Sequence, residues 1–120
     1  MDIFVKGNIL IIQIEANLEE DKLELINYKI RSYCHYKKIK KPKFLFVFPS
    51  LYPESITPDN VNSLFSFLNF SEIEVSHKSV KILTKNTTLL DLLDQHEVYA
   101  KFDRVPDFLT GITALNIDIS

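Results

Sequence analysis

Five consecutive apolar residues, Phe44-Leu45-Phe46-Val47-Phe48, limit most tightly what this chain folds into. They read as a central strand, and Pro49 ends it. Ahead of them, Ile3-Phe4-Val5 and Ile9-Leu10-Ile11-Ile12-Gln13-Ile14 flank Gly7-Asn8. A two-residue Gly-Asn connection suits the primed turns of a β-hairpin, whose positive φ values match the twist of the strands. The second run is apolar almost throughout, as in a strand covered on both faces. Ser79-Val80-Lys81-Ile82-Leu83-Thr84 reads as a further strand, and Val98-Tyr99-Ala100-Lys101-Phe102 as a last, shorter one.

Four helices are expected between and after these runs. The first begins near Asn17, which with Glu20 has capping-box spacing, while Glu19, Glu20, Asp21 and Glu24 load its positive end. Leu23, Ile26, Ile30, Tyr33, Cys34 and Tyr36 give it one buried face, and Lys40-Lys41-Pro42 stops it. Thr57-Pro58-Asp59-Asn60 opens the second with an N-cap hydroxyl, proline at N1 and acid in the first turn. Val61, Leu64, Phe65 and Leu68 form its apolar face, which leaves Phe67 exposed beside them. Thr88 caps a third helix bearing Leu89, Leu92 and Leu93. Asp103 caps a closing one, with Pro106 in its first turn and Phe108, Leu109, Ile112 and Leu115 buried. The order β-β-α-β-α-β-α-β-α predicts an α/β fold: a mostly parallel sheet, crossover helices and an antiparallel N-terminal edge strand.

Residue counts exclude several functions. At 120 residues, 46% of them hydrophobic, the chain fits one domain spanning 1–120. Its formal charge of −2 gives no global pull toward nucleic acid or membrane. Two glycines, Gly7 and Gly111, lie too far apart for a dinucleotide or P-loop phosphate cradle, so no nucleotide cofactor is expected. One cysteine makes no internal disulfide, no leader pattern opens the chain, and no apolar run approaches the ~20 residues that span a bilayer. The expected compartment is the cytoplasm.

The element order and spacing over roughly 2–115 resemble the STAS domain, named for sulfate transporters and anti-sigma-factor antagonists. In its signalling members the third strand runs into a loop of the Asp-Ser-Ser-Gly or Asp-Ser-Thr-Gly kind at the start of the second helix. A serine or threonine there is phosphorylated by a kinase that is also the anti-sigma factor, and phosphate abolishes binding. This sequence has Phe46-Val47-Phe48-Pro49-Ser50 at the strand end and Glu54-Ser55-Ile56-Thr57-Pro58-Asp59 in the loop. Ser55 follows an acid, as the family's acceptor does, and Thr57 holds the helix start; the family's glycine is absent and Phe48 stands in place of an acid. The resemblance implies a non-enzymatic protein-binding module for an anti-sigma-factor or serine-kinase partner, with Ser55 and Thr57 as phosphorylation candidates. Tyr52, Glu54, Ser55, Thr57, Asp59 and Phe67 are then the candidate contact residues. A phosphate, carrying about −1.5 to −2 charges, would repel an acidic or apolar partner from such a surface. The plainer alternative is that Thr57 serves only as an N-cap.

Other constellations point to weaker readings. Arg31, Lys37, Lys38, Lys40, Lys41 and Lys43 form a stretch free of acid and interleaved with Tyr33, His35 and Tyr36. Such a stretch grips phosphates and stacks bases in some proteins, but here it also answers the acids at the start of the first helix. His35, His77 and His96 have no metal-ligand spacing, so no metal is expected, and Cys34 falls on an apolar helix face as a core thiol. Thr84 and Lys101 echo the receiver domains of phosphorelays, but only Glu15 remains of the three acids that hold their magnesium. A small-ligand or lipid carrier of the same fold is a further alternative, and it requires a cavity.

Overall fold

Gly7 takes φ +63° and turns the chain back, so that Asp2–Lys6 (β1) and Ile9–Gln13 (β2) pair antiparallel with Ile3 opposite Ile12. The computed structural model describes residues 2–117; Met1 and 118–120, part of the domain span expected from sequence, lie outside them. After the hairpin come α1 (Glu20–Tyr36), β3 (Lys43–Phe48), α2 (Pro58–Leu64), β4 (Val80–Thr84), α3 (Thr87–Asp94), β5 (Asp103–Arg104) and α4 (Phe108–Ile117). The sheet runs β1-β2-β3-β4-β5, with every pair after the first parallel. The β-β-α-β-α-β-α-β-α order and the antiparallel edge pair agree with the sequence expectation. Receiver-type sheets reverse their strand order beside the first strand; this one does not.

Consecutive order has a consequence for layering. Crossovers of one hand that advance steadily across a sheet place their helices on the same face. α1, α2 and α3 accordingly share one face with Leu10, Ile12, Phe44, Phe46, Val80 and Ile82. The opposite face, with Ile9 and Leu45 buried, is covered by α4 through Leu115 and Ile112. α4 approaches closely at Gly111, where a Cβ would stand 3.0 Å from Leu45 and 3.2 Å from Val105. Under it, the Lys81 ammonium is paired at 2.7 Å with Asp103, directly opposite in register, and Lys43 Nζ donates to the Leu115 carbonyl at 2.8 Å. Both lysines are buried, and pairing offsets the cost of removing an ammonium from water.

The helix-rich face is built on β3. Phe44, Phe46 and Phe48 alternate onto it, and all three are buried. Phe67 packs against Phe44 at a tilt of 41° with ring centroids 4.5 Å apart, Phe65 meets Phe46 edge-on at 5.3 Å, and Tyr99 and Phe102 close around Phe65 at 4.8 and 5.3 Å. Phe67 is therefore core, which corrects its expected exposure. α2 tightens at Phe65 into the 3₁₀ turn Phe65–Asn69. At 120° per residue, positions three apart eclipse, so Phe67 falls beneath Leu64 instead of beside it. Asn27 of α1 supports the change, its amide donating to the carbonyls of Ser63 and Leu64 at 2.9 and 3.3 Å.

Several local expectations are corrected in the same way. α1 starts at Glu20 with extended Glu19 before it, and Asn17 donates to the Glu19 carboxylate instead of capping. Tyr36, at the last turn, is 82% exposed. α3 is capped by Asn86, whose side chain accepts the Leu89 N–H, and not by Thr88. The expected strand at 98–102 is the 3₁₀ turn Tyr99–Lys101, because His96 Nδ1 accepts the N–H groups of Val98 and Tyr99 and curls the chain. Asp103 lies in β5, and α4 is capped by Asp107, which accepts the Thr110 N–H at 2.7 Å; that bond holds its carboxyl below the usual range. Phe108 and Leu109 are exposed; among the described residues of α4, Gly111 and Leu115 are buried, with Ile112 and Ala114 half-buried. Burial of Phe67 predicts that Phe67→Ala lowers unfolding free energy by about 3–5 kcal/mol in urea titrations. Tyr52→Ala, on the exposed loop, changes it by less than about 0.5 kcal/mol.

Candidate functional site

The loop from β3 to α2 gathers most of the sequence candidates, and its shape begins with Ala16. This residue takes φ +65°, unusual for a residue with a Cβ, and ends the regular β2 ladder. Its N–H donates to the Ser50 carbonyl at 2.7 Å and its carbonyl accepts the Tyr52 N–H at 2.7 Å, forming a parallel bridge with Leu51. The connection from β2 to α1 thus lies alongside the connection from β3 to α2. Leu51 and Ile56 are buried and pin the loop at two points. Between them the 3₁₀ turn Pro53–Ser55 holds Tyr52, Pro53 and Glu54 out in solvent.

Ser55 is the joint of this arrangement. Its hydroxyl donates to the Tyr52 carbonyl at 2.8 Å and accepts the Leu18 N–H at 3.1 Å. Leu18 itself is fully buried, so this one side chain ties the exposed loop to a core residue 37 positions earlier. The Ser55 carbonyl accepts from Asn60 Nδ2 at 2.8 Å, which links the loop to the first turn of α2. Thr57 is the N-cap expected from sequence: its Oγ1 accepts the Asn60 N–H at 3.1 Å, and Pro58 stands at N1. Asp59 follows, exposed. Tyr52, Glu54, Ser55, Thr57 and Asp59 therefore lie on one loop and helix start, whereas Phe67 belongs to the core.

Outside this loop, a groove of 640 Å³ lies between the C-terminal half of α1 and residues 70–73. Tyr28, Arg31, His35, Lys38, Phe70 and Glu72 are among its lining. Sequence reasoning found the basic stretch but not the groove, since the opposite wall lies some forty residues downstream. Arg31 spans it, pairing with Glu72 at 2.8 Å and lying 4.9 Å from the Phe70 ring centroid. The guanidinium bond holds the Glu72 carboxyl below its ordinary value. Cys34 is buried at the groove floor, and burial pushes its thiol up to about 11, the behaviour of an unreactive core thiol.

The histidines do not converge. His35 lines the large groove, while His77 and His96 line a separate cavity of 420 Å³ beside Phe65 and Phe102. The His96 ring stacks on Tyr99 at 3.7 Å, and the Tyr99 hydroxyl, raised above its usual pKa by burial, donates to Asn62 at 3.1 Å. Among the described residues no three His, Cys, Asp or Glu side chains are grouped as metal ligands, and no helix is long and apolar enough to cross a membrane. Comparison of the chain with protein-family models, curated proteins and solved structures gives no match.

The two loop hydroxyls should differ in their contribution to stability. Ser55→Ala leaves the Leu18 N–H without its partner and removes one of the two donors to the Tyr52 carbonyl, which keeps the Ser55 N–H at 3.0 Å, and is expected to cost about 1–3 kcal/mol in urea unfolding. Thr57→Ala loses a single cap bond and should cost about 1 kcal/mol. Ser55→Ala at or below the cost of Thr57→Ala would mean that the tether is not what holds the loop.

Proposed function

We propose that this chain is a STAS-like, non-enzymatic binding module that presents the loop 51–57 and the start of α2 to a regulatory kinase or anti-sigma-type protein, with Ser55 as its switch. The observation that carries this reading is the Ser55 hydroxyl, which holds an exposed aromatic and an exposed acid in place through one bond within the loop, to the Tyr52 carbonyl, and one to distant backbone, from the Leu18 N–H. Phosphorylation removes the donor proton that engages the Tyr52 carbonyl and replaces a small hydroxyl beside Leu18 with a dianion. The loop must then detach, and the contact surface changes both shape and charge. Thr57 is the lesser acceptor, because its bond is local to the cap and its loss frees no other segment. Two further features support a binding role over nucleotide chemistry. The sheet has no reversal of strand order to form the crevice in which open α/β folds seat nucleotides. The chain also lacks the glycines that let backbone approach phosphate closely.

The test is affinity capture from a lysate of the native cells, with wild-type chain and the Ser55→Asp, Thr57→Asp variant as parallel baits. Mass spectrometry reads the retained proteins and any phosphate on the wild type. The expected result is a kinase-like or sigma-regulating protein held by the wild type and reduced at least tenfold on the variant, with phosphate on Ser55. Equal retention by both baits removes the switch. Absence of any such regulator from the wild-type bait contradicts the module's proposed role.

A further inference from the structure

The groove beside α1 has features that the loop reading does not use. Its floor is apolar, formed by Cys34, Ile39, Phe70 and Ile73, and its volume of 640 Å³ lies within the roughly 300–1,000 Å³ range of small-molecule sites. Its rim is cationic. Arg31 and Glu72 neutralise each other across it, which leaves Lys38 and Lys40 as an unbalanced pair with no ion pair among the described residues. The walls are fixed before any ligand arrives: the Glu74 N–H donates to the Lys40 carbonyl at 2.7 Å, locking the downstream segment to the end of the helix.

Lys38 is held at this rim by backbone geometry. Ile39 N–H donates to the Cys34 carbonyl at 2.8 Å and Lys38 N–H to the His35 carbonyl at 3.2 Å, the paired bonds of a Schellman helix stop. The residue between must be left-handed, and Lys38 takes φ +55°. Glycine adopts that conformation without steric cost, so a lysine there keeps a side chain at some expense in strain. The side chain it keeps lines the groove.

We propose that this groove binds a small organic anion with an apolar body, the body lying on Phe70, Ile73 and Ile39 and the carboxylate or phosphate end meeting Lys38 and Lys40. This site is distinct from the loop 51–57, and it does not depend on the switch at Ser55. Charge complementarity selects the anion: the groove's one carboxylate is already paired with Arg31, so a cationic head finds no free partner and meets two ammonium groups.

The test uses four single-chain probes below their micelle-forming concentrations: dodecanoate, dodecyl phosphate, dodecanol and dodecyltrimethylammonium, with inorganic phosphate as a headgroup alone. Binding is read by calorimetry and located by amide shift changes in NMR. The two anions should bind at least tenfold more tightly than the alcohol or the cation, with shifts centred on residues 31–40 and 70–73. Lys38→Glu, Lys40→Glu alters only exposed side chains and should weaken both anions at least tenfold while leaving dodecanol unchanged. Ser32→Trp, which fills the groove from the exposed side of α1, should abolish binding of every probe; melting curves check that both variants remain folded. The proposal is overturned by equal affinity for all four chains, by shifts that map elsewhere, or by no binding. Inorganic phosphate as strong as dodecyl phosphate would equally overturn it, since the apolar floor would then contribute nothing. Whether dodecanoate or dodecyl phosphate is preferred separates a carboxylate ligand from a phosphorylated one.

Discussion

Three phenylalanines alternating on one face of β3 set the terms for everything packed above it. Phe44, Phe46 and Phe48 form a flat aromatic ridge along the middle of the sheet, and burying each is worth about 1.5–3 kcal/mol relative to exposure. Matching that ridge requires rings from the other side, supplied by Phe65 and Phe67 and then by Tyr99 and Phe102. Phe65 and Phe67 are two apart, a spacing that a regular α-helix puts on nearly opposite sides, whereas Tyr99 and Phe102, three apart, would share a helix face. Phe65 and Phe67 sit in the 3₁₀ turn Phe65–Asn69, and Phe102 follows the 3₁₀ turn Tyr99–Lys101 in extended backbone; these irregular segments bring the four rings together. The irregular backbone above β3 is thus a consequence of filling one aromatic layer.

Features set by neighbours in the chain were legible in the sequence. The hairpin rests on Gly7-Asn8 between apolar runs, the central strand on five apolar residues, and the second helix on Thr57-Pro58; each is a local decision. What failed were positions where a distant group overrides the local preference. Asn17 has a capping spacing, but its neighbour Leu18 is drawn into the core and its N–H goes to Ser55, so the chain stays extended until Glu19. Residues 98–102 have strand composition, but His96 captures two of their N–H groups. Asp103 has a helix-cap pattern before Pro106, but a buried lysine on the adjacent strand claims its carboxylate. Phe67 departs from the 100° helical pattern because the backbone tightens into a 3₁₀ turn at Phe65.

The candidate sites divide along the same line. Ser55 and Thr57 could be named from the sequence because they precede a proline-started helix, but not which of them carries a long-range bond. The partner of Ser55 is 37 residues away, and nothing in the pattern around Leu18 announces it. The groove was half visible, as a basic stretch with aromatics, and half invisible, because its far wall depends on how the segment after α2 returns. Lys38 hid the end of α1 as well. Without the glycine that usually marks a Schellman stop, the helix reads as continuing to Pro42.

At the loop and at the hidden end of α1, one side chain sets a feature of the surface. At the loop that side chain is Ser55, and its bond to the Leu18 N–H is the central claim. Residue-resolved hydrogen exchange tests it most directly, comparing wild type with Ser55→Ala. The account predicts that the Leu18 amide is protected in the wild type and falls to the rate of the exposed Glu54 amide in the variant, while the β3 amides remain the slowest. A Leu18 amide already unprotected in the wild type, or still protected without the hydroxyl, would contradict it.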